Sequence, residues 1–218
     1  MNGTLVFVLL MVVLGLGSLC FIFQDVLTAY WVGWMRQRRF RFRLRRFVRM
    51  HDFLYLNNLT LRVDSGRYLP VDHLIFGDHL VYVIMVKFWY GLISGSTEDE
   101  KWILTDGQVV EYVDNPARAN ELRIGLLSRI LGIDRENFVS VVVIAKSAAI
   151  DQMTAAIPHW HVLNEGELIP FLLLQEKTAA LPPYRSEELE KMADRIYDYH
   201  QKSIAERNQK LQRSKVRK

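Results

Sequence analysis

Residues 81–95 read VYVIMVKFWYGLISG, and their reading decides the fold. Branched, aromatic and long apolar side chains run up to a single charge, Lys87, before glycines break the stretch. A strand of this composition belongs in the middle of a sheet. Alternation puts Val81, Val83, Met85 and Lys87 on one face. The ammonium at the strand end either leaves the core for solvent or points into a site, and the choice depends on what faces it.

Upstream, LYLNNLTLRV from residue 54, the turn Asp64-Ser65-Gly66, YLPVDHLIF and the turn Gly77-Asp78 lead into HLVYVIMVKFWY. Period-two patterning bounded by turn residues predicts an antiparallel meander of three strands. Downstream, ARANELRIGLLSRILG (117–132) carries Leu122, Leu126, Leu127, Ile130 and Leu131 at helical spacing and ends in Gly132. FVSVVVIA (138–145) then reads as a fully buried strand reached by that crossover helix. The fold class expected is an α+β, or α/β, sandwich. ELIPFLLLQEK, after residue 166, predicts a short closing helix that Pro170 stands to interrupt. Past Pro182 and Pro183, Ser186 starts a polar helix with Glu187 and Glu188 in its first turn. Its apolar positions, Leu189, Met192 and Ile196, fade early, which predicts a solvated helix fraying into a basic tail.

Charge divides the 218 residues by region. Residues 36–49 hold eight arginines and no acid, and residues 201–218 hold seven bases against one acid. Between them, residues 50–200 contain 13 bases and 22 acids. Duplex binding relies on phosphate neutralisation, which an acidic domain performs poorly, so the core is not expected to be a DNA clamp. The lone Cys20 has no partner for a disulfide within the chain, which fits a reducing compartment.

Residues 4–23, TLVFVLLMVVLGLGSLCFIF, contain no charge and are long enough to cross a bilayer as a helix. Tyr30, Trp31 and Trp34 follow where an interfacial aromatic belt is expected, and then come Arg36, Arg38, Arg39, Arg41, Arg43, Arg45, Arg46 and Arg49. The positive-inside rule places the N-terminus outside and the rest in the cytoplasm, a single pass through the inner membrane. The arginines are expected on anionic headgroups, each contributing about 1 kcal/mol. A second reading, from the interleaved Phe40, Phe42 and Phe47, is a nucleic-acid contact. The organisation expected is therefore a transmembrane helix (1–24), an Arg-rich juxtamembrane segment (25–50), a folded domain (51–178), and a C-terminal helix with a basic tail (184–218).

Asp72 lies in mid-strand between Val71 and Leu74, where a carboxylate needs a partner or a metal. The hairpin at Gly77-Asp78 lays its strand beside the one bearing Lys87, so the two side chains are expected to meet. His159-Trp160-His161 has the spacing of two metal ligands on a strand without an evident third, and is read as a loop or core pair. His73 and His79 flank the hairpin, placed to hydrogen-bond near Asp72 or to lie at the surface.

Across residues 54–150 the chain resembles the nuclease-related domain (NERD) family, which belongs to the PD-(D/E)XK nuclease fold. The resemblance lies in Val71-Asp72-His73, Val86-Lys87, the glycines Gly91 and Gly95, Trp102, and Asn115-Pro116 before a helix bearing Asn120, where the family often has glutamine. It implies a restriction-endonuclease-like central mixed sheet with flanking helices. It also implies Mg²⁺-dependent phosphodiester chemistry, with an Asp and a Glu holding the metal and a Lys acting on water and phosphoryl charge. Here the Glu position is Met85, whose thioether is a poor ligand for a hard dication. An upstream acid of the family is also missing, since its region is the arginine segment. Asp72 and Lys87 are then a remnant of the catalytic set, expected to survive as a salt bridge, with Asp72 and Glu121 as weak metal candidates and Asp78 and Glu111 as other acids able to relocate. The expectation is a membrane-anchored, catalytically degenerate nuclease-like module without cofactor, binding nucleic acid or protein at the membrane. The alternatives are an active Mg²⁺-dependent DNase with a relocated acid, and a purely structural subunit of a membrane complex.

Overall fold

The computed structural model describes residues 3–22, 24–64, 66–145, 147–154 and 159–216. Ser65 of the first predicted turn lies outside these, as do several side chains of the N-terminal helices, those of Cys20 and Tyr30 among them. The chain divides into two compact units, Met1–Arg46 and Phe47–Lys218.

In the first unit, α1 spans Gly3–Ile22. A second helix, α2 (Gln24–Met50), continues across the unit boundary and carries all eight arginines on helical rather than extended backbone. Leu5 to Val13 are exposed, an unbroken apolar surface. Trp31 and Trp34 stack edge to face at 5.8 Å, and the Arg38 guanidinium lies 5.3 Å from the Trp34 ring. The transmembrane helix expected at the N-terminus is not found: among the described residues, no helix is long and apolar enough to cross a membrane.

The second unit is built on two mixed sheets. In the first, the meander is formed as expected: β1 (Leu54–Arg62), β2 (Tyr68–Phe76) and β3 (Val81–Lys87) pair antiparallel. Helix α3 (Pro116–Leu131) crosses over to β7 (Phe138–Ile144), which runs parallel to β3 and is buried along its whole length. β9 (Trp160–Asn164) adds a further parallel strand, giving the order β1-β2-β3-β7-β9. The second sheet, β6-β5-β4-β8, is made of β4 (Gly91–Ser96), β5 (Lys101–Asp106), β6 (Val109–Asp114) and β8 (Ala148–Thr154).

The glycines that end the opening stretch start β4 for steric reasons. Gly91 has φ +90°, and a Cβ there would lie 2.1 Å from the Thr105 carbonyl oxygen. Gly95, at φ +150°, lies against the buried Trp102, whose Cδ1 would be 2.8 Å from an added Cβ. Larger residues at either position meet backbone or a packed ring, and positive φ adds strain.

The core under the first sheet joins Leu74, Phe76, Val81, Val83 and Phe138 to Ile124, Leu127 and Leu131 of α3. Leu126, Leu127 and Leu131 are buried and Ile130 packs against them as the spacing predicts, whereas Leu122 is 66 % exposed and the buried face extends instead through Asn120 and Ile124. The closing helix α4 (Leu168–Thr178) forms with Pro170 in its first turn, where no intrahelical N–H is needed. Its Glu176 accepts from the Tyr82 hydroxyl at 2.6 Å and from the His79 backbone at 2.8 Å, pinning the β2–β3 hairpin.

The C-terminal helix departs from the solvated tail expected. α5 runs from Ser186 to Val216, and Leu189, Met192 and Ile196 are buried in the main core. It also closes the open edge of β1: His200 Nδ1 accepts from the Thr60 N–H, Ser203 Oγ accepts from the Arg62 N–H, and the Tyr199 hydroxyl donates to the Arg62 carbonyl. Periodicity counts apolar side chains and has no term for polar ones that serve a strand edge, so it misses the packing of this helix.

Candidate functional site

β2 and β3 pair from Phe76 with Val81 to His73 with Ile84. One step further along the same register, Asp72 comes level with Met85, and Lys87 follows two residues on, on the same face. The Asp72 carboxylate accepts from the Val86 backbone N–H and feels the Lys87 charge, so the structure brings the two predicted residues into one cluster. The salt bridge expected between them does not form: none of the ion pairs within 4 Å among the described residues joins them, and they act on one another at longer range.

The stronger cationic influence on Asp72 is Arg123, from α3. Arg123 is 8 % exposed and donates from Nε to the Pro70 carbonyl at 2.5 Å, which turns the guanidinium over the start of β2. Sequence reading missed this residue. Its signal is its spacing, since it lies three residues after Asn120 and four before Leu127, on the face of α3 that meets the sheet.

Burial dominates the electrostatics. It raises the Asp72 pKa above the ordinary carboxylate value, and the charges of Arg123 and Lys87 and the Val86 N–H recover only part of that cost. Burial lowers both Lys87 and Arg123, against the pull of Asp72. All three groups are held in charge states that their surroundings disfavour. The Lys87 ammonium lies 5.2 Å from the centre of the Trp89 ring, which in turn meets Trp102 edge to face at 6.4 Å. Asp114, at the end of β6, is a second carboxylate acting on Lys87.

Asn115 holds this end of the molecule together. Its Oδ1 caps α3 by accepting from Ala117 N at 2.8 Å, and its Nδ2 donates to the carbonyls of Ser96, Thr97 and Asp99. The helix that carries Arg123 is thereby tied to the β4–β5 turn. Asn120, fully buried, bridges the Val83 and Val141 carbonyls through Nδ2, across the junction of β3 and β7.

The remaining candidates lie elsewhere. Glu121 pairs with Arg135 at 2.5 Å and accepts from Trp160 Nε1 at 3.2 Å, and Asp72 meets neither. Glu111 stands on the exposed strand β6, and Asp78 accepts from Tyr184 N through its backbone carbonyl. His73 is buried and bonds the Tyr55 hydroxyl at 2.6 Å, while His79 Nδ1 bonds the Leu181 carbonyl. His161 packs against Phe171, and burial lowers its pKa. The eight arginines of α2 are exposed or half-buried.

Among the described residues, no group of three or more His, Cys, Asp or Glu side chains is placed to hold a metal ion. The donors around Asp72 do not fit Mg²⁺. The second seat holds a buried thioether, and the carboxylate already faces a guanidinium and an ammonium, which a dication would have to join. No catalytic step through a metal follows from this arrangement.

A mixed sheet of this order with an Asp, a Lys and a crossover helix over them defines a nuclease-like module. The family model of the nuclease-related domain matches residues 32–145, more than half of the chain, and the protein belongs to that family. That match begins inside α2 and ends just after β7. No curated protein and no solved structure matches the chain.

Proposed function

We propose that this protein is a membrane-anchored nuclease-like module that has exchanged its metal site for a cationic one, and that it binds a nucleic-acid strand without cutting it. The observation that carries the proposal is the company of Asp72: Arg123 and Lys87 as charges, and Met85 where a second carboxylate is needed. Trp89 beside Lys87 offers a face on which a base can stack. Anchoring is supported by the twenty charge-free residues 4–23, the exposed apolar surface of Leu5 to Val13, and the arginines that follow, which suit the anionic headgroups on the cytoplasmic side of an inner membrane. An envelope task such as DNA transfer, DNA processing or a secretion assembly fits that location.

A second reading, an active Mg²⁺-dependent DNase with a relocated acid, draws its support from Asp114, a second carboxylate that acts on Lys87. The full chain in detergent micelles, incubated with linear and single-stranded DNA and Mg²⁺ or Mn²⁺, separates the two. The proposal predicts salt-sensitive binding and intact DNA. Cleavage that disappears in both Asp72→Ala and Lys87→Ala establishes the enzyme instead. Absence of DNA binding at low salt points to a purely structural subunit among other membrane-complex proteins.

A further inference from the structure

We propose that Arg123 and Lys87 form a metal-free binding site for a phosphate-type oxyanion, beside which Asp72 serves as the internal counter-charge when the site is empty. The proposal rests on the reading of a lost metal site and deepens it by naming what the remaining groups hold.

The guanidinium of Arg123 is the centre of the argument. A guanidinium has five N–H donors in a fixed fork. Arg123 is more than nine-tenths buried, yet only its Nε donates to the protein, to the Pro70 carbonyl. Neither terminal nitrogen has an acceptor among the described residues, and Asp72 attracts the group without forming an ion pair within 4 Å. Neither nitrogen is among the fully enclosed described atoms that lack a partner, so each keeps some accessible surface. A buried arginine with unspent donors is costly to keep unless an acceptor arrives.

Lys87 supplies the second arm. Its contact with the Trp89 ring is through space, at 5.2 Å, and leaves its three N–H donors unspent. Arg123 and Lys87 repel one another; Asp72 attracts both, and Asp114 adds a further pull on Lys87. What the cluster lacks is acceptor lone pairs for the unspent donors of its two cations. A tetrahedral oxyanion brings them, and a guanidinium fork with an ammonium suits its geometry. In the parent nuclease chemistry a dication supplies this attraction. Here the side-chain cations do so directly, which fits the exclusion of Mg²⁺ by the same two groups.

The sign at Asp72 distinguishes this site from a metal centre. In a metal centre the carboxylate holds the cation that holds the phosphate, so Asp72→Asn abolishes binding. In the site proposed, the carboxylate repels the anion and competes for the same donors, so Asp72→Asn strengthens it.

The test is a titration of the full chain in detergent micelles with inorganic phosphate in the presence of EDTA, followed by ³¹P NMR. The result expected is saturable binding, weakened at least about tenfold by Arg123→Gln and by Lys87→Gln, and tightened by Asp72→Asn. Should Arg123→Gln fail to fold, Lys87→Gln, at the solvent end of its strand, decides alone. Absence of saturable binding, a requirement for Mg²⁺, loss of binding in Asp72→Asn, or equal binding by the variants, which assigns the phosphate to the arginines of α2, overturns the proposal. Competition identifies the source of the phosphate: displacement by a single-stranded oligonucleotide indicates a nucleic-acid backbone, and displacement by phosphatidylglycerol vesicles indicates headgroups. Displacement by neither overturns the proposal. DNA cleavage with Mg²⁺ contradicts the non-catalytic reading but leaves phosphate binding in EDTA as a separate result.

Discussion

Asp72 is held at a cost. Its pKa in the folded chain is raised, so its contribution to stability is fully present below about pH 3.8, the unfolded value, and is lost as pH rises through the higher folded value. Once ionised, the buried carboxylate opposes folding despite its two cationic neighbours. Asp72→Asn is therefore expected to be as stable as the parent or more so at pH 7, with the advantage disappearing toward pH 3, which denaturant melts across that range measure. A loss of stability in Asp72→Asn at pH 7 contradicts this electrostatic description. Lys87, lowered by burial, carries the opposite dependence: its contribution rises as pH climbs from the lowered folded value toward the unfolded value. Charges that a fold retains against its own stability point to binding rather than to scaffolding. Of this cluster, Asp72, Lys87 and Met85 were legible in the sequence because period-two alternation fixes which side chains share a strand face. Arg123 was not, because a stripe read from leucines gives no weight to a buried arginine and takes in the exposed Leu122 beside it.

The elements around the site are joined by side chains that answer backbone groups. Asn115 caps α3 and turns the two hydrogens of its Nδ2 toward three turn carbonyls, so Asn115→Ala removes the cap and those donors at once. A loss of about 2–4 kcal/mol in chemical denaturation is expected. Glu176 does similar work at the hairpin, and Glu176→Ala leaves the Tyr82 hydroxyl and the His79 N–H without their acceptor, for a loss of about 1–3 kcal/mol. A change below 0.5 kcal/mol in either variant, a size about usual for surface substitutions, contradicts the role assigned. The meander, the crossover helix and β7 were legible from alternation, helical spacing and glycine stops. The second sheet was not. β6 is exposed along nearly all its length, and its apolar Val109, Val110 and Tyr112 break the inward-outward alternation on which strand reading depends. The opening stretch was also read as one strand into Phe88-Trp89-Tyr90, whereas β3 ends at Lys87 and β4 starts at Gly91, where the positive φ turns the chain into another sheet.

At the scale of the molecule, the second unit is closed by α5, which buries Leu189, Met192 and Ile196 in the main core and occupies the edge of β1. A chain ending at Arg185 exposes both and is expected to lose cooperative unfolding and to self-associate through the freed edge, as light scattering would show. The first unit keeps the character read from its composition, an apolar helix followed by an arginine-rich one. The central claim for the whole protein is that a guanidinium and an ammonium now stand where the family's chemistry needs a dication. The most direct measurement is an EPR titration of the full chain with Mn²⁺, on the parent and on Asp72→Asn. The account predicts no bound Mn²⁺ in the sub-millimolar range for either protein. One equivalent bound by the parent and lost in Asp72→Asn would contradict it and restore a metal centre at this site.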